Sequence, residues 1–113
     1  MLDLFRLFCG EFDEVIGLLG GGYWDIPVED NAMVLLRNRG GQIAQLHSSA
    51  TSWKHTFRLE IGLERGYLVV SGLLSKTGSY GRETLLVGRR PGHGETVSLG
   101  NPREELTYYD IDW

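Results

Sequence analysis

Apolar and polar residues alternate along much of the chain, most regularly over residues 57–63. Every second residue there is apolar (Phe57, Leu59, Ile61 and Leu63), and the residues between them are charged or small (Arg58, Glu60 and Gly62). A period of two predicts a strand. Apolar runs bounded by turn residues predict further strands at 12–19, 32–39, 42–50, 67–73, 83–90 and 105–109. Residues 91–101 are interpreted as a loop, in which a short strand at 96–99 is an alternative.

One stretch has helical spacing instead. Leu2–Cys9 carries a broad apolar stripe and is followed by Gly10, a residue that favours helix ends. No residue that commonly caps a helix precedes Leu2, so we expect this helix to be cut from a longer one. Together the patterns predict a single α+β domain over residues 1–113, a mostly antiparallel open sheet of five to seven strands with one short N-terminal helix.

Several of these strands are apolar on both faces, so the sheet needs cover on both sides. Six strands of six residues present about 570 Å² per face. A helix of eight residues shields only about 120 Å². An open apolar face near 500 Å² exceeds what soluble monomers usually expose. We therefore expect the sheet face to be used for dimerisation, most simply with a second copy across a two-fold axis.

The charge distribution narrows the classes of partner. The net charge is −4 and Lys and Arg are scattered, so no basic stripe could follow a nucleic-acid backbone. The single cysteine, Cys9, excludes an internal disulfide and is interpreted as a buried inert thiol. No apolar run reaches the ~20 residues of a membrane span, and the N-terminus lacks a basic signal-peptide start. We expect a cytoplasmic protein.

The three glycines at 20–22 could suggest a phosphate-binding loop. Such a loop needs a helix directly after it, whereas the residues that follow here end in Pro27 and cannot begin a helix cleanly. A flexible bend or bulge at the end of a strand is the better interpretation.

Several segments in order carry a family resemblance: VEDNA at 28–32, LLR-x-RGGQIAQLH at 35–47, SWK at 52–54, GYL at 66–68 and GSYGRETL-x-VGRR at 78–90. Together they resemble the C-terminal domain of the glucose–fructose oxidoreductase / inositol dehydrogenase / MocA family. The resemblance implies a parent enzyme with a Rossmann domain that binds NAD or NADP. It also implies an α+β domain whose open sheet lines the substrate pocket and builds the oligomer.

Family members are expected to carry a lysine in a Glu-Lys-Pro motif and a histidine shortly before the equivalent of Asp3. This sequence has no Glu-Lys-Pro and no Gly-x-Gly-x-x-Gly, and the histidine would fall before Met1. We therefore expect no catalytic residue and no bound cofactor in this chain, with NAD(P) implied only for a full-length parent. The sequence resembles the interior of a domain without the segments at its two ends. We expect a truncated gene product, a separately encoded remnant or an excised fragment.

His47 is the first candidate substrate-binding residue. It shares a predicted strand face with Ile43, Gln45 and Ser49, a row that becomes polar toward its end. Such a row could form a pocket wall. A hydrogen-bonded, half-buried strand histidine is the alternative.

Trp53, Lys54 and Tyr80 are the other candidates. An aromatic wall beside an ammonium donor suits polyhydroxylated ligands, although Trp53 could equally anchor the core. Tyr80 lies in a glycine-flanked loop, where binding residues are common and plain turns commoner. The adjacent carboxylates Glu29 and Asp30 would point apart, so we interpret Asp30 as a turn residue that binds backbone.

The sequence lacks the motifs of metal sites and of serine hydrolases. The three histidines lie far apart without metal-ligand spacing, and no Gly-x-Ser-x-Gly is present. Three functions remain: a substrate-side and oligomerisation domain inactive alone, an enzyme completed by a separate Rossmann subunit, and a stand-alone homodimeric module for a small sugar-like ligand.

Overall fold

The computed structural model describes residues 1–52, 54–73, 79–90 and 105–110. The short strand considered at 96–99 therefore lies outside the described residues. One helix and seven antiparallel strands are described, which confirms the α+β class. The elements are α1 Leu2–Cys9, β1 Glu14–Gly20, β2 Asn31–Arg37, β3 Ile43–Ser49, β4 Arg58–Leu63, β5 Gly66–Ser71, β6 Thr84–Arg89 and β7 Glu105–Asp110.

The strands form two sheets, ordered β1-β2-β3 and β4-β5-β6-β7. The chain divides accordingly into two compact units, Met1–Trp53 and Lys54–Trp113. Both sheets are simple meanders, in which each strand pairs with the next along the chain. Antiparallel neighbours of this kind need no crossover helix between them.

Helix α1 begins and ends at the predicted residues. Its end is fixed at Gly10, whose φ of 74° suits glycine and whose N–H donates to the carbonyl oxygen of Arg6 at 2.8 Å. The carboxylate of Glu11, through its hydrogen bond and its charge, raises the pKa of Arg6. This pair is fully exposed, so its contribution to stability is small. Cys9 is half-buried and has a free thiol.

One face of the first sheet is apolar at the centres of β1 and β2 and mostly polar along β3. We call it the open face, and it comprises Glu14, Ile16, Leu18, Asn31, Met33, Leu35, Arg37, Ile43, Gln45, His47 and Ser49. The other face carries Leu36, and Leu36 and Phe5 of α1 are the buried apolar residues among the described residues of this unit. Asymmetric burial of this kind means that the open face is not covered by the unit itself.

The second sheet is packed around Leu59, which is buried in β4. Tyr67 in β5 lies opposite Gly88 in β6, and a Cβ added at Gly88 would come within 2.4 Å of the tyrosine ring. The ring therefore occupies the space above the glycine. The outer strand β7 is joined to β6 by a hydrogen bond from Arg89 Nη1 to Thr107 Oγ1 at 2.9 Å.

No helix in the described part of the chain is long and apolar enough to cross a membrane.

Candidate functional site

His47 lies at the polar end of the open face. The β2–β3 register places Met33 opposite His47 and Asn31 opposite Ser49, so all four residues share the face. The imidazole Nε2 is 2.8 Å from Asn31 Oδ1. Because a carbonyl oxygen only accepts, His47 Nε2 carries the donated proton.

This hydrogen bond fixes the chemistry that His47 can offer. In the neutral ring, Nδ1 is then the unprotonated nitrogen and can accept a hydrogen bond from a hydroxyl group. The side chain is exposed, so a ligand can reach it. Nearby in the chain, the hydroxyls of Ser49 and Thr51 lie 2.7 Å apart and hydrogen-bond to each other.

The centre of the open face is apolar and exposed. Leu18 is 77%, Ile43 69% and Ile16 67% accessible, and Met33 and Leu35 are also exposed. The three strands span roughly 330 Å² in all, with the polar positions included. Contiguous exposed apolar side chains commonly mark an interaction site. At the end opposite His47, the patch is bounded by an ion pair between Arg37 and Glu14.

The connector between β1 and β2 is held by Asp30, which is only 5% exposed. Its Oδ2 accepts hydrogen bonds from the backbone N–H groups of Tyr23 and Trp24, each at 3.0 Å. The indole Nε1 of Trp24 donates to the carbonyl oxygen of Ala50 at 2.6 Å. The interpretation of Asp30 as a backbone-binding turn residue is confirmed, and residues 23–28 form bends after the strand rather than a helix.

The second unit holds two further candidates. Tyr80 packs on His55, with ring centroids 5.2 Å apart and planes inclined at 38°. His55 directly follows Lys54, whose side chain is exposed. Trp53 lies outside the described residues. In the parts of the chain that the structure describes, no group of three or more His, Cys, Asp or Glu side chains is placed to hold a metal ion.

Comparison of the sequence with models of protein families shows the family of this chain. Residues 1–69 match the model of the GFO/IDH/MocA C-terminal domain. The chain belongs to the GFO/IDH/MocA C-terminal domain family. The match spans α1, β1 to β4 and most of β5, and it therefore includes His47 and Lys54. A search of curated proteins found no match.

The comparison confirms the family resemblance inferred from the sequence motifs. Within the GFO/IDH/MocA domain, the roles of His47, Trp53, Lys54 and Tyr80 in substrate binding stay predictions. Tyr80 lies beyond the matched residues 1–69. The structure places His47 in the first unit and Lys54 and Tyr80 in the second.

Sequence reasoning missed the side chains that position these candidates. The predicted strand at 32–39 leaves Asn31 out, although the register of the β2–β3 hairpin brings Asn31 across from Ser49 and within reach of His47. His55 was considered only as a metal ligand and rejected, whereas it packs on Tyr80. The first contact could have been found by counting residues back from the turn, and the second had no sequence signal.

Proposed function

We propose that this chain is the substrate-side and oligomerisation domain of an NAD(P)-dependent oxidoreductase of the sugar or polyol type, active in the cytoplasm. The observation that carries the proposal is the match of residues 1–69 to the GFO/IDH/MocA C-terminal domain. In enzymes that this chain resembles, a Rossmann domain holds the dinucleotide and the C-terminal domain faces the substrate. The proposal assigns the second of these roles to the chain.

The open face supports the oligomerisation part of this proposal. Four exposed large apolar side chains lie together at its centre on β1 and β2, and a fifth lies at the end of β3 opposite Arg37: Ile16, Leu18, Met33 and Leu35, with Ile43. Burial of apolar area is the main favourable term in association, and a self-complementary face suits a second copy across a two-fold axis. The polar row of Asn31, His47 and Ser49 would then lie at the rim of the contact, where a substrate can enter.

His47, Trp53, Lys54 and Tyr80 are proposed to contact the substrate. His47 Nδ1 would accept a hydrogen bond from a sugar hydroxyl, since its Nε2 is committed to Asn31. Lys54 would donate from its exposed ammonium group, and the ring of Tyr80 would pack against the apolar face of a sugar. No reacting group is assigned to this chain, because family chemistry is expected to use a lysine in a Glu-Lys-Pro motif that the sequence lacks.

The cofactor part of the proposal predicts that the chain alone binds neither NAD nor NADP. A dinucleotide site uses a Gly-x-Gly-x-x-Gly turn at a helix N-terminus, and the 113 residues contain no such motif. Titration of NAD and NADP in both redox states by isothermal calorimetry should give only heats of dilution. Binding with micromolar affinity would contradict the assignment.

An alternative is a stand-alone homodimeric module that binds a small sugar-like ligand. The observation that favours it is the exposed His47–Asn31 pair, which is preorganised without any dinucleotide domain. Both functions place the same ligand chemistry at the polar end of the open face. They differ in whether a Rossmann partner is required for activity, which addition of a separately produced family Rossmann domain would reveal.

Replacing His47 with alanine should weaken the binding of a polyol such as glucose or myo-inositol by about 1–3 kcal/mol, because a hydrogen bond to a hydroxyl is lost. Ligand titration followed by NMR chemical shifts measures this change. Ser48→Ala, exposed on the opposite face of the same strand, is the matched control and should leave affinity within about twofold. A His47→Ala variant that loses stability and keeps its affinity would support a purely structural histidine.

A further inference from the structure

Strand β1 is exposed along its whole length. All seven residues, Glu14–Gly20, are accessible to solvent, although the strand is paired with β2 on one side. Its large apolar side chains lie on both faces of the sheet, with Ile16 and Leu18 on the open face and Val15 and Leu19 on the other. Strands that are apolar on both faces are characteristic of buried positions inside a sheet. Within the described residues, however, β1 is the end strand of its sheet.

The other end strands are protected against further pairing. Strand β3 carries the polar residues Gln45, His47, Ser48 and Ser49, β4 carries Arg58 and Glu60, and β7 begins and ends with a charged residue. Charged and polar side chains on edge strands are a common means of preventing contact with another chain. Strand β1 has one charged residue, Glu14, at its first position, and neither proline nor an inward-pointing charge follows it. Its edge is therefore suited to accept a strand.

Gly17 lies at the centre of β1, and the surrounding sheet does not require a glycine there. A Cβ added at Gly17 would be 3.6 Å from both Met33 O and Val34 Cγ2, which is ordinary van der Waals contact. Its φ is not among the positive values of the chain. A glycine inside a strand lowers stability unless it serves a bulge or the close approach of another backbone. The close approach of another backbone would explain Gly17, and that backbone would come from outside the unit.

The sequence of β1 is self-complementary about Gly17. In an antiparallel pair of two copies centred on this residue, Val15 of one copy lies opposite Leu19 of the other, and Ile16 lies opposite Leu18. Glu14 lies opposite Gly20, so no charged side chain faces a like charge. The acidic residues Glu11, Asp13 and Glu14 of the two copies fall at opposite ends. A parallel pair would place them side by side, which the net charge of −4 disfavours.

We propose that β1 pairs with β1 of a second copy, antiparallel and about a two-fold axis at Gly17, to join two three-stranded sheets into one of six strands. The axis is perpendicular to the sheet, because that is the symmetry of an antiparallel pair. Both open faces then remain on the same side and uncovered by this contact. The edge contact is thus a second interface, separate from the open-face contact proposed above, and the two together would assemble four copies.

Register-specific cross-linking tests the pairing. In a Cys9→Ser background, Val15→Cys and Leu19→Cys variants are prepared separately and mixed. Residues opposite each other in an antiparallel pair have Cα atoms about 4.5–5.5 Å apart, within disulfide range. In a dimer of Val15→Cys alone, the two introduced cysteines would be offset by four residues along the strands. Their Cα atoms would be roughly 13 Å apart, which is beyond disulfide range. Under copper–phenanthroline oxidation, the mixture should give at least about tenfold more linked dimer than either variant alone.

Gly17→Cys supplies an independent readout, since this position lies on the axis and should link to itself. The introduced side chain has room in the folded unit. Ser48→Cys, exposed in β3, is the matched control and should remain unlinked. Equal linking of the mixture and the single variants, or no linking of Gly17→Cys, would overturn the proposal and would mean that another strand or no strand covers β1.

A further variant separates this interface from the open face. Leu35 lies on the open face in the middle strand, away from the β1 edge. In a Leu35→Lys background the cross-links should persist. Their loss would overturn the claim of an independent edge interface and would leave the open-face contact standing.

Discussion

Replacing Gly72 with alanine is expected to lower the free energy of unfolding by at least about 3 kcal/mol, because backbone strain and steric overlap act together. Gly72 has a φ of 81°, which disfavours any residue with a Cβ. An added Cβ would lie 2.1 Å from the carbonyl oxygen and 2.6 Å from the carbonyl carbon of Arg82. Both are backbone atoms, so no side-chain rotation can relieve the contact. Urea denaturation followed by far-ultraviolet circular dichroism measures the loss.

Gly62→Ala is the matched control in the same sheet. Nothing lies within 4 Å of a Cβ added at Gly62, and its φ is not positive. Alanine there should change stability by less than about 1 kcal/mol and could stabilise the fold by restricting the unfolded chain. Protein concentration must be held constant, since association contributes to apparent stability. Equal effects of the two substitutions would show that the close approach of Gly72 to Arg82 is not part of the native fold.

Asp30→Ala is expected to cost about 2–4 kcal/mol, because a carboxylate that accepts two backbone N–H groups is removed from a buried position. Asp30 is the buried charged residue of the described part of the chain. Its loss would release the N–H groups of Tyr23 and Trp24 and free the connector between β1 and β2. The change is measured by urea denaturation followed by tryptophan fluorescence, since Trp24 reports on the connector directly.

Two variants make the Asp30 result specific. Asp30→Asn keeps one accepting oxygen and should retain part of the stability, at a cost of about 1–2 kcal/mol. Glu29→Ala removes the exposed neighbouring carboxylate and should change stability by less than about 0.5 kcal/mol. If Asp30→Ala were as mild as Glu29→Ala, the two hydrogen bonds would not be stabilising the connector.

Much of the local structure could be predicted from the sequence. Every predicted strand that falls within the described residues begins and ends within two residues of an observed one. The reason is physical: glycines and polar turns interrupt the apolar patterns here at nearly every connection, as at Gly40–Gly41 and Glu64–Arg65. The hairpin turn also determines the register, so the face shared by Ile43, Gln45, His47 and Ser49 was predictable and is observed.

Which strands pair with each other was harder to predict from the sequence. Seven strands were within the predicted range, but their division into sheets of three and four strands depends on residues far apart in the chain. The period-two pattern of a strand carries no information about which strand lies beside it. The contact between His55 and Tyr80 has the same origin, because it joins two loops through tertiary structure that no local pattern encodes.

The open face connects the fold to the proposed function. A three-stranded sheet with a buried Leu36 on one side and an exposed apolar surface on the other is incomplete as an isolated unit. The proposed oligomer would cover that surface, and the chain belongs to the GFO/IDH/MocA C-terminal domain family. The polar row at its end, with His47 held by Asn31, provides a ligand-accessible rim.

The central claim, that the open face is an interface between copies of this chain, is tested most directly by sedimentation equilibrium of the wild-type protein and of Leu35→Lys. The wild type should have a mass that is an even multiple of the chain at micromolar concentration. Leu35→Lys should halve that mass, because a charge would be buried unpaired in the contact. Ser48→Lys, exposed in β3 on the opposite face of the sheet, should leave it unchanged. A folded, monomeric wild-type protein at micromolar concentration would contradict the account.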